Sequence, residues 1–526
     1  MKVLACDGIH EDGLELFRQA GWDVEVAPEP IKDPLQLAAA LAGVDAVLVR
    51  SATKVPAEAL QQAPQLKVIG RAGAGVDTID VEAATERGIA VMNAPDGNTL
   101  AAAEHAIALL FALARHVPRA DAGMKARQWP KAGLTGFELE GKRLGVIGLG
   151  RIGSTVARKA RGIGMDVAAY DPFLPASAAG KGSVALKSLD ELLAWADIVT
   201  LHIPRTKETT NLLSEARMRT MKPGAMVINA ARGGLVDEAA LLRLLDEGHL
   251  AGAALDTFVT EPLPAESPLR AHPNLVLTPH LGASTSEAQQ AVSTILARQI
   301  IDFVATGAVA GCVNLPPLTA EAAREVGPWM PLMTALGRVA SRLVPAPTRL
   351  HIRYVGRVEG LDTRPLTRLL VASLLGAASG RVTPVNALQE AVGRGLEVAE
   401  TVGGEANGFD RLVRLTIEGE TATGREVKRE IDATLHRAPR VVALDGVEIE
   451  FDPLAHVLLM RNEDRPGMVG IVGSQLGAAG INIINFALGA AGDGYARAAI
   501  TVDRPIDDAQ LDMLRGTPGV LSIQQI

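Results

Sequence analysis

Cysteine is nearly absent from this chain. Its 526 residues include two, Cys6 and Cys312, which lie far apart in the sequence. A disulfide-stapled fold and a cysteine-based zinc site both need several thiols at short, regular spacings. The scarcity therefore excludes these two classes and predicts no metal site. It favours a reducing compartment, which we expect to be the cytoplasm.

Long apolar runs and an excess of positive charge are also missing. No stretch of about 18 apolar residues occurs, so no membrane-spanning helix is predicted. The first apolar run, within MKVLACDGIHEDG, is too short for a signal peptide. The formal net charge is -8, whereas nucleic-acid binders carry basic patches. We expect a soluble protein that binds neither a membrane nor nucleic acid.

Aromatic residues make up only 3% of the chain, although 48% of it is hydrophobic. The apolar content is therefore mainly aliphatic, as expected for buried parallel strands. Short apolar runs alternate with helical stretches across residues 1–98 and again from Leu144 onwards. This alternation predicts an α/β fold with two Rossmann-like parallel-sheet layers. The length of the chain corresponds to roughly three or four domains.

The second half of the chain has a different pattern. Paired prolines, Pro316 and Pro317, predict a domain boundary. Residues 318–452 mix strand-like and helical segments, which predicts a mixed α/β domain. From Leu454 the predicted order is strand, helix, strand, strand, helix, strand. This is the βαββαβ order of ferredoxin-like folds.

A glycine-rich turn, GLGRIG, follows the apolar run LGVI and precedes a helical stretch. Gly148 permits the tight turn, Gly150 lets a pyrophosphate approach the backbone, and Gly153 allows the helix to pack closely on the strand. Asp171 ends the next predicted strand, about 20 residues further on, where a carboxylate accepts hydrogen bonds from ribose hydroxyls. The same carboxylate repels a 2′-phosphate. The motif therefore predicts a dinucleotide site that prefers NAD to NADP.

Three side chains of different chemistry follow the later strands of this series, whose carboxyl ends face the ligand in α/β sheets. They are Arg232 in NAARGG, Glu261 in DTFVTEP and His280 in LTPHLGAST. Oxidation of a hydroxy acid requires a base that works near neutral pH, a carboxylate that orients this base, and a cation that holds the substrate carboxylate. We predict that His280 is the base, Glu261 its partner and Arg232 the substrate clamp.

Together these motifs resemble those of the D-isomer-specific 2-hydroxyacid dehydrogenases. VRSATKV and RAGAGVD narrow the resemblance to the long-form D-3-phosphoglycerate dehydrogenases, over the whole chain. The resemblance implies four domains, which are a discontinuous substrate-binding domain at 1–98 and 285–315, an NAD-binding domain at 99–284, an intervening domain at 318–452 and a regulatory ACT domain at 454–526. It implies cofactor contacts from Ala74, Arg151, Ile152, Asp171, Ile203, Pro204, Ala230, Ala231, Arg232, Asp256, His280, Gly282 and Ala283.

The resemblance also implies the reaction, which is the oxidation of 3-phospho-D-glycerate to 3-phosphooxypyruvate by NAD, the first step of L-serine biosynthesis. Gly73 and Gly75, on either side of Ala74, are predicted to form a backbone nest for the substrate carboxylate. The candidates for the substrate phosphate are Arg50, Arg71 and Lys131, the last from this subunit or a neighbouring one.

The tail is expected to bind serine as an effector between two copies of the domain, within a homotetramer built as a dimer of dimers. By the same resemblance, the effector residues are Asn462, Asp464 and Asn482. Three alternatives stay open. The substrate could be another D-2-hydroxy acid or its oxo form, such as glyoxylate, hydroxypyruvate or 2-oxoglutarate. The chain could be a non-catalytic protein that senses NAD or an amino acid. The tail could serve only for oligomerisation.

Overall fold

The structure, a computed structural model, describes nine segments of the chain: 1–174, 184–306, 309–318, 320–358, 360–376, 382–406, 408–421, 423–492 and 494–526. These segments form four sheets, which follow one another along the sequence.

The first sheet has five parallel strands in the order β2-β1-β3-β4-β5. The strands and the helices between them are β1 Lys2–Ala5, α1 Glu11–Gln19, β2 Asp23–Val26, α2 Pro34–Ala40, β3 Ala46–Val49, α3 Ala57–Leu60, β4 Val68–Arg71, α4 Val81–Glu86 and β5 Ala90–Asn93. Four of the strands are buried almost throughout and were predicted from their apolar runs. Strand β2 was not, because it lies at the edge of the sheet and is mostly exposed.

Two helices, α5 Thr99–Ala114 and α6 Val117–Lys125, lead from the first sheet to the second. The second sheet has seven strands in the order β12-β11-β10-β9-β6-β7-β8, and every pair is parallel. Its elements are β6 Arg143–Ile147, α7 Arg151–Gly162, β7 Asp166–Tyr170, β8 Ala185–Leu186, α8 Leu189–Trp195, β9 Ile198–Leu201, α9 Glu215–Arg219, β10 Ala225–Asn229, α10 Glu238–Asp246, β11 Leu250–Leu255 and β12 Leu275–Leu277. A 3-10 turn, Pro268–Ala271, precedes β12.

Helix α11, Ser286–Thr306, returns the chain to the first sheet. Leu296 and Ile300 of α11 lie against Gly70 of β4, so close that a Cβ at Gly70 would be 2.7 Å from the Ile300 side chain. The Ser293 hydroxyl accepts a hydrogen bond from the backbone N–H of His10, at 3.1 Å. The first sheet is therefore completed by a segment nearly 200 residues downstream of β5. Strand patterns along the sequence do not reveal this connection, which the family resemblance alone implied.

A mixed six-stranded sheet follows, in the order β14-β13-β15-β16-β17-β18. Its elements are α12 Ala320–Val326, α13 Met330–Leu343, β13 Ala346–Gly356, α14 Arg364–Gly376, α15 Ala387–Gly393, β14 Glu397–Val402, β15 Arg411–Glu420, β16 Glu426–Leu435, β17 Pro439–Leu444 and β18 Val447–Phe451, with a 3-10 turn at Gly327–Trp329. Thr383 and Asn386 donate hydrogen bonds to the carbonyls of Gly88 and Glu86, which attaches this part of the chain to the first sheet.

The tail forms a four-stranded antiparallel sheet in the order β20-β21-β19-β22. Its elements are β19 His456–Glu463, α16 Met468–Ala478, β20 Ile483–Ala490, β21 Tyr495–Val502, α17 Asp508–Arg515 and β22 Val520–Gln525. This is the predicted βαββαβ order. With two parallel-sheet layers and a mixed sheet before it, the predicted fold class is confirmed, while the exact domain limits stay a prediction.

Within the described segments, no single helix is long and apolar enough to cross a membrane. Helices α5 and α6 satisfy the length and composition criteria only when they are taken together, and the chain bends by 67° between them.

Candidate active site

The carboxyl ends of the strands in the second sheet form one edge. The strand order reverses between β6 and β9, because β7 and β8 lie on one side of β6 and β9 to β12 on the other. Ligands of such sheets bind in the crevice at this switch point. The GLGRIG turn starts there, and a Cβ at Gly148 would lie 2.5 Å from the Ile203 side chain, which follows β9.

The three glycines of the turn have different surroundings. Gly148 has a φ of +88°, which favours glycine. A Cβ at Gly153 would lie 1.8 Å from the Gly148 carbonyl oxygen, so only glycine lets α7 approach β6 this closely. Gly150, by contrast, caps α7 and has no atom within 4 Å of its would-be Cβ. The N-terminus of α7 is thus open at Gly150, as an approaching pyrophosphate requires.

Asp171 follows β7 and lies beside this turn. One carboxylate oxygen accepts a hydrogen bond from Leu149 N at 2.9 Å, and the other accepts one from Phe173 N at 3.0 Å. Each carboxylate oxygen can accept a further hydrogen bond. The side chain is therefore held against the GLGRIG turn and retains acceptor capacity for hydroxyl groups.

A cleft of about 640 Å³ lies between the two parallel sheets. Many of the predicted site residues line it: Arg71, Ala74, Gly75, Arg151, Ile152, Ile203, Pro204, Ala230, Ala231, Arg232, Glu261, His280, Gly282 and Ala283. The other predicted residues of this region, which do not line the cleft, are Arg50, Gly73, Lys131, Gly148, Gly150, Gly153, Asp171 and Asp256.

His280 and Glu261 are in contact in the cleft. The His280 Nδ1 atom lies 2.8 Å from a Glu261 carboxylate oxygen, and the other oxygen accepts a hydrogen bond from Phe258 N at 3.0 Å. Burial alone would raise the pKa of the Glu261 carboxyl, but these two hydrogen bonds outweigh it and the pKa is lowered. An ionised carboxylate only accepts hydrogen bonds, so Nδ1 carries a proton and Nε2 of the neutral ring is free to receive one.

Arg232 is fixed at two of its nitrogens. Its Nε donates to Asp77 at 2.7 Å, and its Nη1 donates to the Ala231 carbonyl at 2.7 Å. The remaining Nη2 lies toward Gly75, where a Cβ would be only 1.9 Å away. The absence of a side chain at Gly75 therefore leaves space for the Arg232 guanidinium group and also leaves the Gly75 backbone accessible. Asp77, which sequence reasoning missed, follows β4 of the first sheet and reaches across the cleft to Arg232.

A second ion pair crosses the cleft. The Arg151 Nε atom, at the start of α7, lies 2.5 Å from an Asp96 carboxylate oxygen in the segment that follows β5. Arg232 and Arg151 are thus each paired with a carboxylate of the first sheet's loops. Both acidic residues stand in glycine-containing loops after strands, RAGAGVD and NAPDGN, which was the only signal that could have identified them.

Arg71 is the most buried cation of the cleft. Burial, together with repulsion from Arg232 and Arg50, lowers the pKa of its guanidinium group to about 10, while Asp77 and Asp7 act in the opposite direction. A Cβ at Gly73 would lie 1.7 Å from Arg71 Nη1, so this glycine also accommodates a guanidinium group. Arg71 and Arg232 line this end of the cleft together with Asp77, so the lining has a net positive charge there.

Two of the predicted phosphate ligands, Arg50 and Lys131, are not among the residues that line the cleft. Arg50 is largely buried, which lowers the pKa of its guanidinium group, and its backbone N–H donates to Asp7 at 2.8 Å. Lys131 is exposed in the segment after α6. Ser51 and Lys54, which sequence reasoning missed, line the cleft instead. The sequence feature that could have identified them is their position in RSATK, directly after β3.

A neighbouring chamber of about 760 Å³ shares Ser51, Lys54, Glu261 and His280 with the cleft. Lys32 and Arg270 add two further cations to its lining. His280 therefore stands between two connected spaces, and the second of them is also basic.

Asp256, a predicted cofactor contact, is fully buried and does not line the cleft. Its carboxylate accepts hydrogen bonds from the backbone N–H groups of Leu281 and Gly282, at 2.8 and 2.9 Å. These hydrogen bonds hold the turn that carries His280. The side chain that pairs with Asp256, His105 of α5, was not predicted, because it lies on a mostly apolar helix outside the strand ends that the motifs single out.

The predicted effector residues lie in the tail. Asn462 is buried on β19, with its side-chain N–H donating to the Glu463 carbonyl at 2.7 Å. Asp464 follows β19, and Asn482 precedes β20. Strands β19 and β20 both run antiparallel to β21, which lies between them, so Asp464 and Asn482 are at opposite ends of the sheet. Within one tail they cannot contact the same small ligand.

Among the described residues, no three His, Cys, Asp or Glu side chains are grouped as a metal ion would require. A dinucleotide turn at a switch point, a carboxylate-paired histidine and a fixed arginine together define an oxidoreductase that uses a nicotinamide dinucleotide and acts on a hydroxy acid. Comparison with known proteins supports this class and narrows it.

The sequence profile of the D-isomer specific 2-hydroxyacid dehydrogenase NAD binding domain matches residues 107–282. The profile of the D-3-phosphoglycerate dehydrogenase intervening domain matches residues 325–445. The D-3-phosphoglycerate dehydrogenase of Bacillus subtilis is 37% identical over 528 residues, which cover 100% of this chain and 99% of the relative. That of Archaeoglobus fulgidus is 38% identical over 526 residues, with 99% of each covered.

Solved structures resemble the chain as well. The TT0316 protein from Thermus thermophilus is 37% identical with a TM-score of 0.53, and the similarity covers 58% of this chain and 97% of that one. The D-lactate dehydrogenase of Escherichia coli is 28% identical with a TM-score of 0.53, covering 60% and 100%.

The chain belongs to the D-3-phosphoglycerate dehydrogenase family. The predicted resemblance and enzyme class are confirmed. The relatives are dehydrogenases, which favours this class over the alternative of a non-catalytic sensor. A nicotinamide dinucleotide is the cofactor class. The roles of the individual site residues stay predictions.

Proposed function

We propose that this chain oxidises 3-phospho-D-glycerate to 3-phosphooxypyruvate with NAD as the hydride acceptor, as the first step of L-serine biosynthesis. The observation that carries the proposal is the 2.8 Å contact between His280 Nδ1 and Glu261, in a cleft that also holds Arg232 and adjoins the dinucleotide turn. Two parallel sheets contribute to this cleft, so substrate and cofactor meet between them.

His280 acts as the general base. With Nδ1 donating to Glu261, Nε2 accepts the proton of the substrate hydroxyl group as the C–H bond at the same carbon breaks. The carbon loses a hydride and the oxygen a proton, which leaves a carbonyl group. Glu261 stabilises the imidazolium ion that results, because its charge lies beside the ring. The His280 side chain is 39% exposed, so the proton can pass on to solvent.

Arg232 holds the carboxylate of the substrate. Its Nη2 donors are directed at the Gly75 loop, whose backbone N–H groups complete a site for an anion. Since Asp77 and Ala231 already bind Nε and Nη1, the guanidinium group is oriented before the substrate arrives. Such pre-orientation raises the rate of a step that depends on the position of the reacting carbon.

The charge around the cleft favours a phosphorylated hydroxy acid over glyoxylate or hydroxypyruvate. Arg71, Arg50 and Arg232 lie close enough to repel one another, which is costly unless an anion of high charge binds among them. Lys54 borders both the cleft and the basic chamber. A substrate with a carboxylate at one end and a phosphate at the other matches this distribution.

NAD is the dinucleotide that the site accommodates best. When bound, it takes up the hydride from the substrate carbon. Gly150 leaves the space at the start of α7 through which a pyrophosphate reaches the backbone N–H groups, and Arg151 lies beside it. Asp171 is held in place by Leu149 and Phe173 and presents a negative charge where NADP would carry its 2′-phosphate. The other predicted contacts, at Ile203, Pro204, Ala230, Gly282 and Ala283, line the remaining cleft.

The assay uses the full-length chain, NAD and either 3-phospho-D-glycerate or D-glycerate, with NADH absorbance as the signal. We expect turnover of the phosphorylated acid and little of the unphosphorylated one. The His280→Ala variant should lose roughly 10²–10⁴-fold in kcat, the usual contribution of a general base. His436→Ala, an exposed histidine of the intervening domain, is the matched control. Equal rates on both acids, or an active His280→Ala variant, would refute the proposal.

We also propose that the tail binds serine between two copies of the chain. Asp464 offers a carboxylate for the ammonium group of an amino acid, and Asn482 offers an amide. Because these residues lie at opposite ends of one sheet, a ligand that contacts both must bridge two tails. The effector role therefore requires a homo-oligomer, which we propose to be a dimer of dimers.

A further inference from the structure

The turn that carries His280 has a strained backbone. His280 has a φ of +56°, in the left-handed region that residues other than glycine seldom adopt. Such a conformation persists only where its surroundings enforce it. Here the enforcing group is Asp256, whose carbonyl oxygen accepts a hydrogen bond from His280 N at 2.9 Å. The Asp256 carboxylate then fixes the next two residues through Leu281 N and Gly282 N.

Asp256 is 0% exposed, so its negative charge must be balanced by hydrogen-bond donors. Besides the two backbone N–H groups, the Thr278 hydroxyl donates to it at 2.6 Å. The fourth donor is His105, whose Nε2 lies 3.1 Å from the same oxygen. His105 belongs to α5, the helix that follows the first sheet, whereas the other donors belong to the loop itself. The balance of this buried charge thus depends on a separate element.

The hydrogen bonds assign the proton on His105. The Thr278 hydroxyl has one proton, which it gives to Asp256, so toward His105 Nε2, at 3.2 Å, it can only accept. The Asp256 carboxylate likewise only accepts. Nε2 must therefore carry a hydrogen atom, which it donates to the Thr278 hydroxyl oxygen and to the Asp256 carboxylate oxygen. A histidine in this state, pointing from α5 into the loop, connects the helix to the turn at His280.

We propose that His105 is a positioning residue for His280, acting through Asp256. The inference rests on the proposed function of His280 as the base and adds a residue to it. His105 does not line the cleft, and its Nε2–H keeps the Asp256 carboxylate in place. That carboxylate in turn holds the backbone that presents the His280 ring to the cleft.

The pH dependence of the reaction should reflect the contact between His105 and Asp256. Burial opposes ionisation of Asp256, but the hydrogen bonds from His105, Thr278 and Leu281 outweigh it, and the pKa of the carboxyl is lowered. The titratable groups around it are His105 on α5 and, on the loops, Glu261 and His280. Without the donor from His105, Asp256 takes up a proton at a higher pH, and a protonated carboxyl holds the two N–H groups less firmly.

The test compares His105→Leu, which removes the donor, with His105→Gln, whose amide N–H restores one near the position of Nε2. Glu104→Gln is the matched control, because Glu104 is the preceding residue of α5 and pairs with Lys159 outside the cleft. We expect His105→Leu to lose roughly 10- to 100-fold in kcat, as misplacement of a reacting group does. The KM for the substrate should stay nearly constant, since Arg232 and Gly75 are outside this network. The kcat of His105→Gln should lie between those of wild type and His105→Leu.

Two further measurements separate positioning from a general loss of structure. The acid limb of the kcat profile should move to higher pH in His105→Leu but not in Glu104→Gln. Hydrogen exchange of the Leu281 and Gly282 amides should become faster in His105→Leu while other amides keep their rates. The exchange experiment needs no turnover, so it distinguishes a failure of this inference from a failure of the proposed function.

The inference is overturned if wild type turns over 3-phospho-D-glycerate and His105→Leu matches it in kcat. It is equally overturned if Glu104→Gln loses as much activity as His105→Leu, or if exchange at Leu281 and Gly282 is unchanged. If His105→Leu does not fold, His105→Gln decides through the same three measurements. Absence of turnover in wild type would refute the proposed function, and the exchange rates would still decide the link from His105 to the loop.

Discussion

Two glycines of the dinucleotide turn should respond to the same substitution in opposite ways. At Gly150 a Cβ would meet no atom within 4 Å, and the backbone, at φ −67° and ψ −160°, is allowed for alanine. At Gly153 a Cβ would lie 1.8 Å from the Gly148 carbonyl oxygen. Gly150→Ala should therefore fold normally and bind the dinucleotide poorly, whereas Gly153→Ala should lose stability.

The magnitudes follow from these contacts. A substitution at a position with free space, such as Gly150→Ala, changes the free energy of unfolding by less than about 0.5 kcal/mol. The methyl group of Gly150→Ala occupies the approach of the pyrophosphate, which should raise the Kd for NADH at least about tenfold, equivalent to 1.4 kcal/mol. In Gly153→Ala, helix α7 must move away from Gly148 by roughly 1.5 Å, and overpacking of this kind costs about 1–3 kcal/mol. For a domain of this size that lowers the Tm by roughly 2–10 °C.

Thermal unfolding of the cofactor-free variants and NADH fluorescence titrations measure the two effects separately. If Gly150→Ala bound NADH like wild type, the pyrophosphate would not approach the start of α7. If Gly153→Ala kept the wild-type Tm, the close packing of α7 on the Gly148 turn would not exist in solution. Either result would refute the assignment of distinct roles to the glycines.

Four further outcomes are expected. Asp171→Ala should reduce the preference for NAD over NADP by about tenfold or more, because one charge-assisted hydrogen bond contributes about 1.5–3 kcal/mol, and an unchanged ratio of the two kcat/KM values would exclude a ribose contact. Arg50→Ala and Lys54→Ala should each raise the KM for 3-phospho-D-glycerate several-fold more than the KM for D-glycerate, whereas equal losses would assign the side chain to structure or to the carboxylate. Asp464→Ala should abolish serine binding in calorimetry together with any inhibition, and binding that survives would place the effector elsewhere. Asp256 has a lowered pKa, so its stabilising effect is present above the pKa of about 4 in the unfolded chain and is lost as the pH falls through its lower folded value. The Tm difference between wild type and Asp256→Asn should therefore shrink with acidification below about pH 4, and a constant difference would contradict the role of the charge.

The chemistry of the site was largely readable from short stretches of sequence. The GLGRIG turn, the strand-end Asp171, and the trio of Arg232, Glu261 and His280 all stand directly after apolar runs. Because the carboxyl ends of parallel strands share one edge, residues far apart in the chain could be brought together without knowledge of the fold. Local patterns of this kind depend on backbone conformation and hydrophobic periodicity, which neighbouring residues determine.

The phosphate and effector ligands stay predictions, because sequence reasoning fixed their chemistry but not their surroundings. Arg50 and Lys131 have the charge that a phosphate ligand needs, but Arg50 is largely buried and Lys131 is exposed in the segment after α6, while Lys54 lines the cleft. Asp464 and Asn482 carry suitable groups, yet β21 separates the strands that bear them. The direction of a side chain and the neighbours of a strand depend on packing between distant segments, which residue type does not encode.

The sequence by itself determined the alternation of strands and helices, the glycine turn and the identity of the reactive side chains, because each of these rests on interactions within a few residues. Only the tertiary structure decided which groups act together. It paired Asp77 with Arg232 and Asp96 with Arg151 across the cleft, and brought His105 of α5 to the buried carboxylate of Asp256. These contacts join residues tens to hundreds of positions apart, and they form only when the sheets pack against each other and exclude water from the groups between them.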